Sequence, residues 1–300
     1  MTEPTRWPDG QQSAVVLTID FNDIHGILTH TPAVAGRDKT LSVWRYGTLR
    51  GVDRLLKLLA EKNVRASWCL PAIVAEENPE VFARIVAAGH EIAGSGDRHQ
   101  NFDTLTLAEQ ISSATAGCDR LEAACGQRPV GFRTPAGQWK PGLAEALSDR
   151  GIRWSSSWRG DDLPYFHPAT RLVELPMHYE LEDEPYFAFN LSPAVPPGQS
   201  RIASYQQTLE NMKLDFRGFH RFGLCYVLRL HPEIIGTAGR IGLLGELLDF
   251  IRSHEKVWLA SAGEVAEWWP TQPDNVTEHP AEIFQRQQQQ QQQQQQEQQA

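Results

Sequence analysis

Cysteine is scarce in this sequence, and the spacing of the few cysteines argues against two kinds of site. The chain has four cysteines in 300 residues, and no two of them form a CxxC pair. A zinc knot needs closely spaced thiolates, and a disulfide framework needs a denser set in a short secreted chain. We therefore expect buried, reduced thiols, as in a cytoplasmic protein. They are Cys69, Cys118, Cys125 and Cys225.

The sequence also lacks long apolar runs and an excess of positive charge. No apolar stretch reaches the length of about 18 residues that indicates a membrane-spanning helix. The first residues, MTEPTRWPDGQQ, contain no apolar leader. The net charge is −9, whereas nucleic acids and anionic membranes bind basic surfaces. We therefore expect a cytoplasmic protein that acts on a small-molecule substrate and binds neither nucleic acid nor membrane.

Glycine-rich phosphate-binding loops are absent as well, since neither GxGxxG nor GxxxxGK[ST] occurs. The chain has instead a regular alternation of apolar strands and amphipathic helices. Residues 13–23 and 64–72 have the apolar composition of buried strands, and residues 47–63 between them have helical spacing. About seven or eight such units predict an α/β barrel with parallel strands rather than an open nucleotide-binding sheet.

Both ends of the chain differ in composition from the middle. Residues 1–12 are predicted to be a short N-terminal extension, and residues 13–270 carry the predicted strands and helices of the barrel. Residues 271–300 lose apolar periodicity and include ten consecutive glutamines, from Gln287 to Gln296. Because such a tract cannot bury apolar surface, residues 271–300 are predicted to be a disordered tail.

Polar side chains gather where the predicted strands end. In a barrel enzyme the carboxyl ends of the strands meet at one face, and the catalytic residues lie there. We therefore expect one functional site at this face, with walls from two long loops at 24–45 and 179–200. In chain order the candidates are Asp20, Asn22, Asp23, Ser95, His99, Arg133, Asp161, Asp162, Met177, His178 and His231.

Several segments, in order, resemble the motifs of the polysaccharide deacetylase family, also called carbohydrate esterase family 4 or the NodB-homology family. They are VLTIDFND, GHEIAGSGDRHQN, GFRTPAGQW, the pair GDDLPY and LVELPMHYELEDEPYF, and a last segment that begins LRLHPEIIGTAGR. The resemblance runs from about residue 13 to residue 269. It is greatest for the cytoplasmic branch that includes peptidoglycan-deacetylase-like proteins and cofactor-independent allantoinases. It implies a distorted (β/α)7-type barrel, in agreement with the strand pattern.

The resemblance implies a hydrolase of amide or ester bonds, and it also reveals a departure from the family pattern. In the family an Asp activates water, a His protonates the leaving nitrogen, and an Asp with two His hold a divalent metal. The base and the acid correspond to Asp20 and His231. Two positions of the metal triad are Asn22 and Ser95, so that only His99 remains. An amide, a hydroxyl and one imidazole are a poor ligand set for zinc.

Three hypotheses follow. The first is a hydrolase of non-peptide carbon–nitrogen bonds that needs no cofactor and acts on a small cyclic amide, imide or ureide. The second is a metal-dependent deacetylase of an N-acetylated sugar or amine, with zinc held by His99, Asp20 and Asp23. Against it, adjacent strand residues point to opposite faces, so Asp23 cannot simply replace Asn22. The third is a non-catalytic protein that keeps the pocket for a ligand.

The first hypothesis assigns roles to three of the candidate residues in the reaction. Asp20 activates water, Arg133 pairs with Asp20 and keeps it ionised, and His231 donates a proton to the leaving nitrogen. The segment 181–198 is a candidate interface for a homo-oligomer. We predict that the substrate contacts Asn22, Ser95, His99, Trp139, Asp162 and His178.

Overall fold

A computed structural model describes residues 6–188, 203–272, 275 and 279–299 of the chain. A π-helix, Gly47–Gly51, lies between the α-helices Asp38–Tyr46 and Val52–Glu61. The strands of the described residues are β1 (Ser13–Asp20), β2 (Ser67–Leu70), β3 (Glu91–Gly94), β4 (Gly131–Phe132), β5 (Trp154–Ser155), β6 (Tyr165–Phe166), β7 (Val173–Glu174), β8 (Cys225–Leu230) and β9 (Val257–Ala260). The α-helices are α1 (Asp23–His30), α2 (Asp38–Tyr46), α3 (Val52–Glu61), α4 (Ala72–Glu77), α5 (Pro79–Ala87), α6 (Leu107–Cys125), α7 (Leu143–Asp149), α8 (Glu184–Phe187), α9 (Tyr205–Phe222), α10 (Arg240–Arg252), α11 (Ala262–Trp268) and α12 (Pro280–Gln299).

The strands form one sheet in the order β6-β7-β5-β4-β3-β2-β1-β8, and β9 also pairs with β1. Every strand pair is parallel except β6 with β7. Strand β1 pairs with β8 from Ala14 to Ile19, and with β9 and then β2 along its length. All eight residues of β1 are buried, as expected for a strand covered on both faces. Its carboxyl end therefore carries Asp20 into the interior.

The sheet curls into an open half-barrel, which confirms the predicted α/β barrel class. After β7 the wall continues through residues 175–183, which form an irregular segment with a short 3₁₀ turn, Tyr179–Leu181. The backbone N–H of Met177 donates to the carbonyl of Trp158 at 2.9 Å, and the N–H of Asp183 donates to the carbonyl of Arg229 at 3.2 Å. This irregular closure places an acidic segment beside the end of β8.

The helices pack apolar stripes against the sheet. In α3 the buried residues recur every three or four positions, which is the spacing of one helix face. Burial of a leucine or valine side chain contributes about 1.5–3 kcal/mol. Among the described residues, no helix combines the length and apolar character needed to cross a membrane. The buried stripe of α3 consists of Val52, Leu55, Leu58 and Leu59.

Residues 24–45, predicted to be a loop, are instead largely helical. They form most of α1, a short 3₁₀ turn at Pro32–Val34 and most of α2. The other predicted pocket loop, 179–200, lies outside the described residues from residue 189 onward. Most of segment 181–198 lies there too, so an oligomer interface in that segment stays a prediction.

The C-terminal segment also differs from its prediction. Residues 271–300 are predicted to be disordered, whereas Pro280–Gln299 form the helix α12. Glutamine is a good helix former, and proline is favoured in the first turn of a helix. Before this helix, His279 is buried and packs edge-on against Trp158, with ring centroids 5.1 Å apart. The domain limits at residues 12 and 270 stay predictions.

Gly51 sets how closely the π-helix approaches the loop that follows β8. A Cβ atom at Gly51 would collide with the carbonyl group of Pro232, next to His231. We predict that Gly51→Ala lowers the free energy of unfolding by about 1–3 kcal/mol, the usual cost of overpacking, as measured by chemical denaturation. A Cβ at Gly242 in α10 meets nothing within 4 Å, so Gly242→Ala should stabilise the fold by about 0.5–1 kcal/mol. Equal effects of the two substitutions would contradict this packing.

Candidate functional site

A cavity of about 440 Å³ opens at the carboxyl ends of β1 and β8. One side of it is formed by α1 and α2, and the other by α8 and the loop after β8. Apolar side chains, among them Ile27, Trp44 and Phe187, form much of its wall. The polar side chains on the same wall include Asn22, His99, Glu184, Arg229, His231, Glu233, Thr237 and Arg240.

Asp20 lies at the base of this site, buried between two guanidinium groups. Nε of Arg229 donates to Oδ2 of Asp20 at 2.8 Å, and Nε of Arg133 lies 3.6 Å from Oδ1. Burial would raise the pKa of Asp20, but the charges of Arg133, Arg229 and His231 outweigh it and lower the pKa to about 2. Oδ1 has no hydrogen-bond partner among the described residues. Asp20 is therefore an ionised carboxylate with one oxygen able to accept a proton.

Arg133 lies beside Asp20, as predicted, but its hydrogen bonds go to other residues. Nη2 donates to Oγ1 of Thr18 at 2.9 Å, and Nη1 approaches Sδ of Met177 at 2.9 Å. The shorter ion pair to Asp20 comes from Arg229, which the sequence analysis missed. A signal for it exists: Arg229 is the one charged residue in the otherwise apolar strand β8, so it must meet a counter-charge.

His231 is fixed by a second carboxylate that the sequence analysis also missed. Both oxygens of the buried Asp183 bind it: Oδ1 lies 2.7 Å from Nδ1, and Oδ2 accepts from the backbone N–H of His231 at 2.8 Å. Burial would lower the pKa of His231, but the Asp183 charge and hydrogen bond raise it to about 10. His231 is thus protonated at neutral pH, and its Nε2 lies 3.9 Å from Oδ2 of Asp20. An ionised base and a protonated acid therefore stand side by side.

His99 lines the same cavity in the opposite protonation state. Burial lowers its pKa to about 3, so the ring is neutral. Its Nδ1 lies 3.1 Å from Oγ1 of Thr29, and that hydroxyl is also within hydrogen-bond distance of the backbone carbonyls of His25 and His99. Thr29 therefore holds the His99 ring at Nδ1.

Asn22 and Ser95, which occupy the two altered triad positions, differ in their surroundings. Asn22 lines the cavity, and its Oδ1 is buried without a hydrogen-bond partner among the described residues. Ser95 is 2% exposed and does not line the cavity. The prediction of substrate contact therefore has a structural basis for Asn22 and not for Ser95.

The donor set does not fit the divalent metal that the family resemblance implies. Two of the three triad positions hold a neutral amide, Asn22, and a hydroxyl, Ser95, and no group of three or more His, Cys, Asp or Glu in the described part of the chain is arranged to hold a metal. Asp20 is occupied by two cationic guanidinium groups. Asp23, the predicted substitute ligand, is also not among the residues that line the cavity, since its Oδ2 accepts from Nδ2 of Asn78 at 3.3 Å. Zinc needs charged or imidazole ligands, which this arrangement does not supply.

Three predicted substrate contacts lie elsewhere. Trp139 donates its indole N–H to Thr134 and stacks on His167 with ring centroids 4.9 Å apart. Asp162 and His178 face each other at 3.4 Å in a separate shallow pocket, where the Asp162 side chain is 54% exposed. None of these three side chains lines the cavity at the ends of β1 and β8.

Comparison with known proteins agrees with the fold. A family model described as polysaccharide deacetylase matches residues 43–155. A solved Mycobacterium smegmatis protein assigned as a polysaccharide deacetylase is 31% identical, with a TM-score of 0.84 over 92% of this chain and 96% of that one. The peptidoglycan deacetylase of Helicobacter pylori is 24% identical over 251 residues, which cover 72% of this chain and 83% of the relative. The structure of the PuuE allantoinase is 22% identical, with a TM-score of 0.76 over 92% and 96% of the two chains.

Removal of the Asp183 charge tests the assignment of His231 as a protonated group. In Asp183→Asn the imidazole loses the charge and the ionic hydrogen bond that chiefly raise its pKa, while burial and the Arg229 charge still lower it, so we expect the pKa of His231 to fall well below about 10. Histidine NMR signals followed through a pH titration measure this. Because folding favours the protonated ring, the wild type should lose stability as pH rises from 6.5 towards about 10. An unchanged pKa in the variant would contradict the pairing.

Proposed function

The chain belongs to the polysaccharide deacetylase family of hydrolases, and from this premise we propose that it hydrolyses a non-peptide carbon–nitrogen bond without a metal. The substrate would be a small cyclic amide, imide or ureide. One observation carries the proposal: an ionised Asp20 lies 3.9 Å from a protonated His231 that lines the cavity, and the described residues contain no group of three or more His, Cys, Asp or Glu that could hold a divalent cation. The similarity in fold to the PuuE allantoinase supports the choice of a cyclic substrate.

The proposed reaction uses the two groups in sequence. Oδ1 of Asp20 accepts a proton from water as the water oxygen attacks the substrate carbonyl carbon. Nε2 of His231 then donates its proton to the leaving nitrogen as the carbon–nitrogen bond breaks. The developing oxyanion would be met by Arg229 and by the side-chain N–H of Asn22, both of which line the cavity.

The electrostatics restrict the substrate. A metal ion stabilises a carbonyl oxyanion by several kcal/mol, and side-chain donors must replace this contribution here. Asp20 is also a weak base, since its pKa is lowered to about 2. Both facts favour a carbonyl that is more reactive than that of an acetamide, as in strained or doubly substituted cyclic imides and ureides. The cavity volume of about 440 Å³ accommodates a ring of this size.

The experiment that tests the proposal is a hydrolysis screen with matched variants. Succinimide, hydantoin, dihydrouracil and allantoin are offered beside an oligomer of N-acetylglucosamine. We expect turnover of at least one cyclic compound, with kcat reduced about 10²- to 10⁴-fold in Asp20→Asn and in His231→Gln. Asp119→Asn is the control, since Asp119 is an exposed carboxylate paired with Arg128 at 2.7 Å, and its kcat should match the wild type.

Two results would overturn the proposal. Hydrolysis of the acetylated oligomer alone would favour a deacetylase. Binding of a cyclic compound without turnover, and with unchanged affinity in Asp20→Asn, would indicate a non-catalytic ligand-binding protein. Thermal denaturation of each variant separates loss of catalysis from loss of fold, because removal of one partner of a buried ion pair costs about 3–5 kcal/mol.

A further inference from the structure

The proposed reaction leaves part of the cavity wall unexplained. The segment after His231 places Glu233, Thr237 and Arg240 on the same cavity. Each has a buried polar atom without a hydrogen-bond partner among the described residues: Oε2 of Glu233, Oγ1 of Thr237 and Nε of Arg240. Unpartnered polar atoms are costly in a protein interior unless a ligand or water satisfies them.

Arg240 is the most informative of the three. Its side chain is 8% exposed, and its guanidinium carbon lies 4.9 Å from the ring centroid of Phe187 and 5.7 Å from that of Tyr205. Its hydrogen bond runs from Nη1 to the carbonyl of Ile234 at 3.1 Å. In the described part of the chain, no carboxylate oxygen lies within 4.0 Å of its nitrogens, Glu184 on the same cavity included. A buried cation held by aromatic rings without a counter-ion favours an anionic ligand.

The two neighbours of Arg240 add hydrogen-bond donors. Burial raises the pKa of Glu233 to about 8, so this carboxyl group is mostly protonated at neutral pH and can donate a hydrogen bond. The Thr237 hydroxyl can rotate to donate as well. A guanidinium, a carboxylic acid and a hydroxyl on one wall therefore offer donors to a ligand that only accepts, and a carboxylate is such a ligand.

We propose that Glu233, Thr237 and Arg240 form a subsite for a carboxylate carried by the substrate. This inference rests on the proposed function and narrows it, from cyclic amides, imides and ureides in general to those with a carboxylate substituent. Phe187, whose ring lies beside the guanidinium, is the last residue of α8, and Asp183, which positions His231, is the N-cap residue directly before that helix. The subsite and the acid of the reaction are therefore linked by one short helix.

Matched pairs of ring compounds test the subsite by binding rather than by turnover. One pair is hydantoin-5-acetate and hydantoin-5-acetamide, and the other is 5-oxoproline and its primary amide. Calorimetry on the full chain at neutral pH should show that the carboxylate of at least one pair binds about ten- to a hundredfold more tightly than its amide. In Arg240→Met, which keeps the aliphatic stem, this preference should vanish.

Two further variants control for an effect of Arg240→Met on folding rather than on binding. Thr237→Val is nearly isosteric and should reduce the preference in part. Arg252→Met removes an exposed arginine at the other end of α10, the helix that begins at Arg240, and should leave the carboxylate preference unchanged. Equal affinity for both members of every pair, a failure of all four compounds to bind, or a preference that survives in Arg240→Met would overturn the subsite. Hydrolysis is recorded separately, since a carboxylate preference without turnover contradicts the proposed function and leaves the subsite standing.

Discussion

The ion pair between Asp20 and Arg229 is the interaction on which the site depends. It joins the end of β1 to the end of β8, and Arg229 extends it to Glu182 with a second bond of 2.9 Å. All of these charges are in the interior, where loss of one partner leaves the other unpaired at a cost of about 3–5 kcal/mol. The network therefore fixes the ionisation of Asp20, and it also holds the irregular segment around Glu182 beside the end of β8.

The same network gives the site its positive charge. Two positions of the metal triad that the resemblance implies are the neutral Asn22 and Ser95, and the cations in this site are the two guanidinium groups on Asp20 and the protonated His231 beside it. The positive charge of the site thus comes from side chains with fixed partners. Asp183 and Glu182 balance that charge from the neighbouring segment.

Much of this could be predicted from the sequence. The alternation of apolar strands and amphipathic helices predicts the α/β class, and the rule that barrel chemistry lies at strand ends brings Asp20, Asn22, His99 and His231 together. Arg229 and Asp183 escaped prediction because their roles depend on long-range pairing across the barrel. Trp139, Asp162 and His178 also follow strands in the sequence, yet they line other pockets, because position after a strand does not fix the path of the loop that carries the side chain. The helix Pro280–Gln299 reflects the helix propensity of its glutamines, and a prediction based on apolar periodicity does not detect this propensity.

The most direct test of the central claim is the metal content of the protein measured beside its turnover. Protein purified without chelator is analysed by mass spectrometry for bound metals, and kcat on the best cyclic substrate is measured before and after dialysis against chelator. Metal-independent hydrolysis by Asp20 and His231 predicts far less than one metal ion per chain and the same kcat after dialysis. A stoichiometric metal, lost with the activity on dialysis and restored together with it by zinc, would contradict the account.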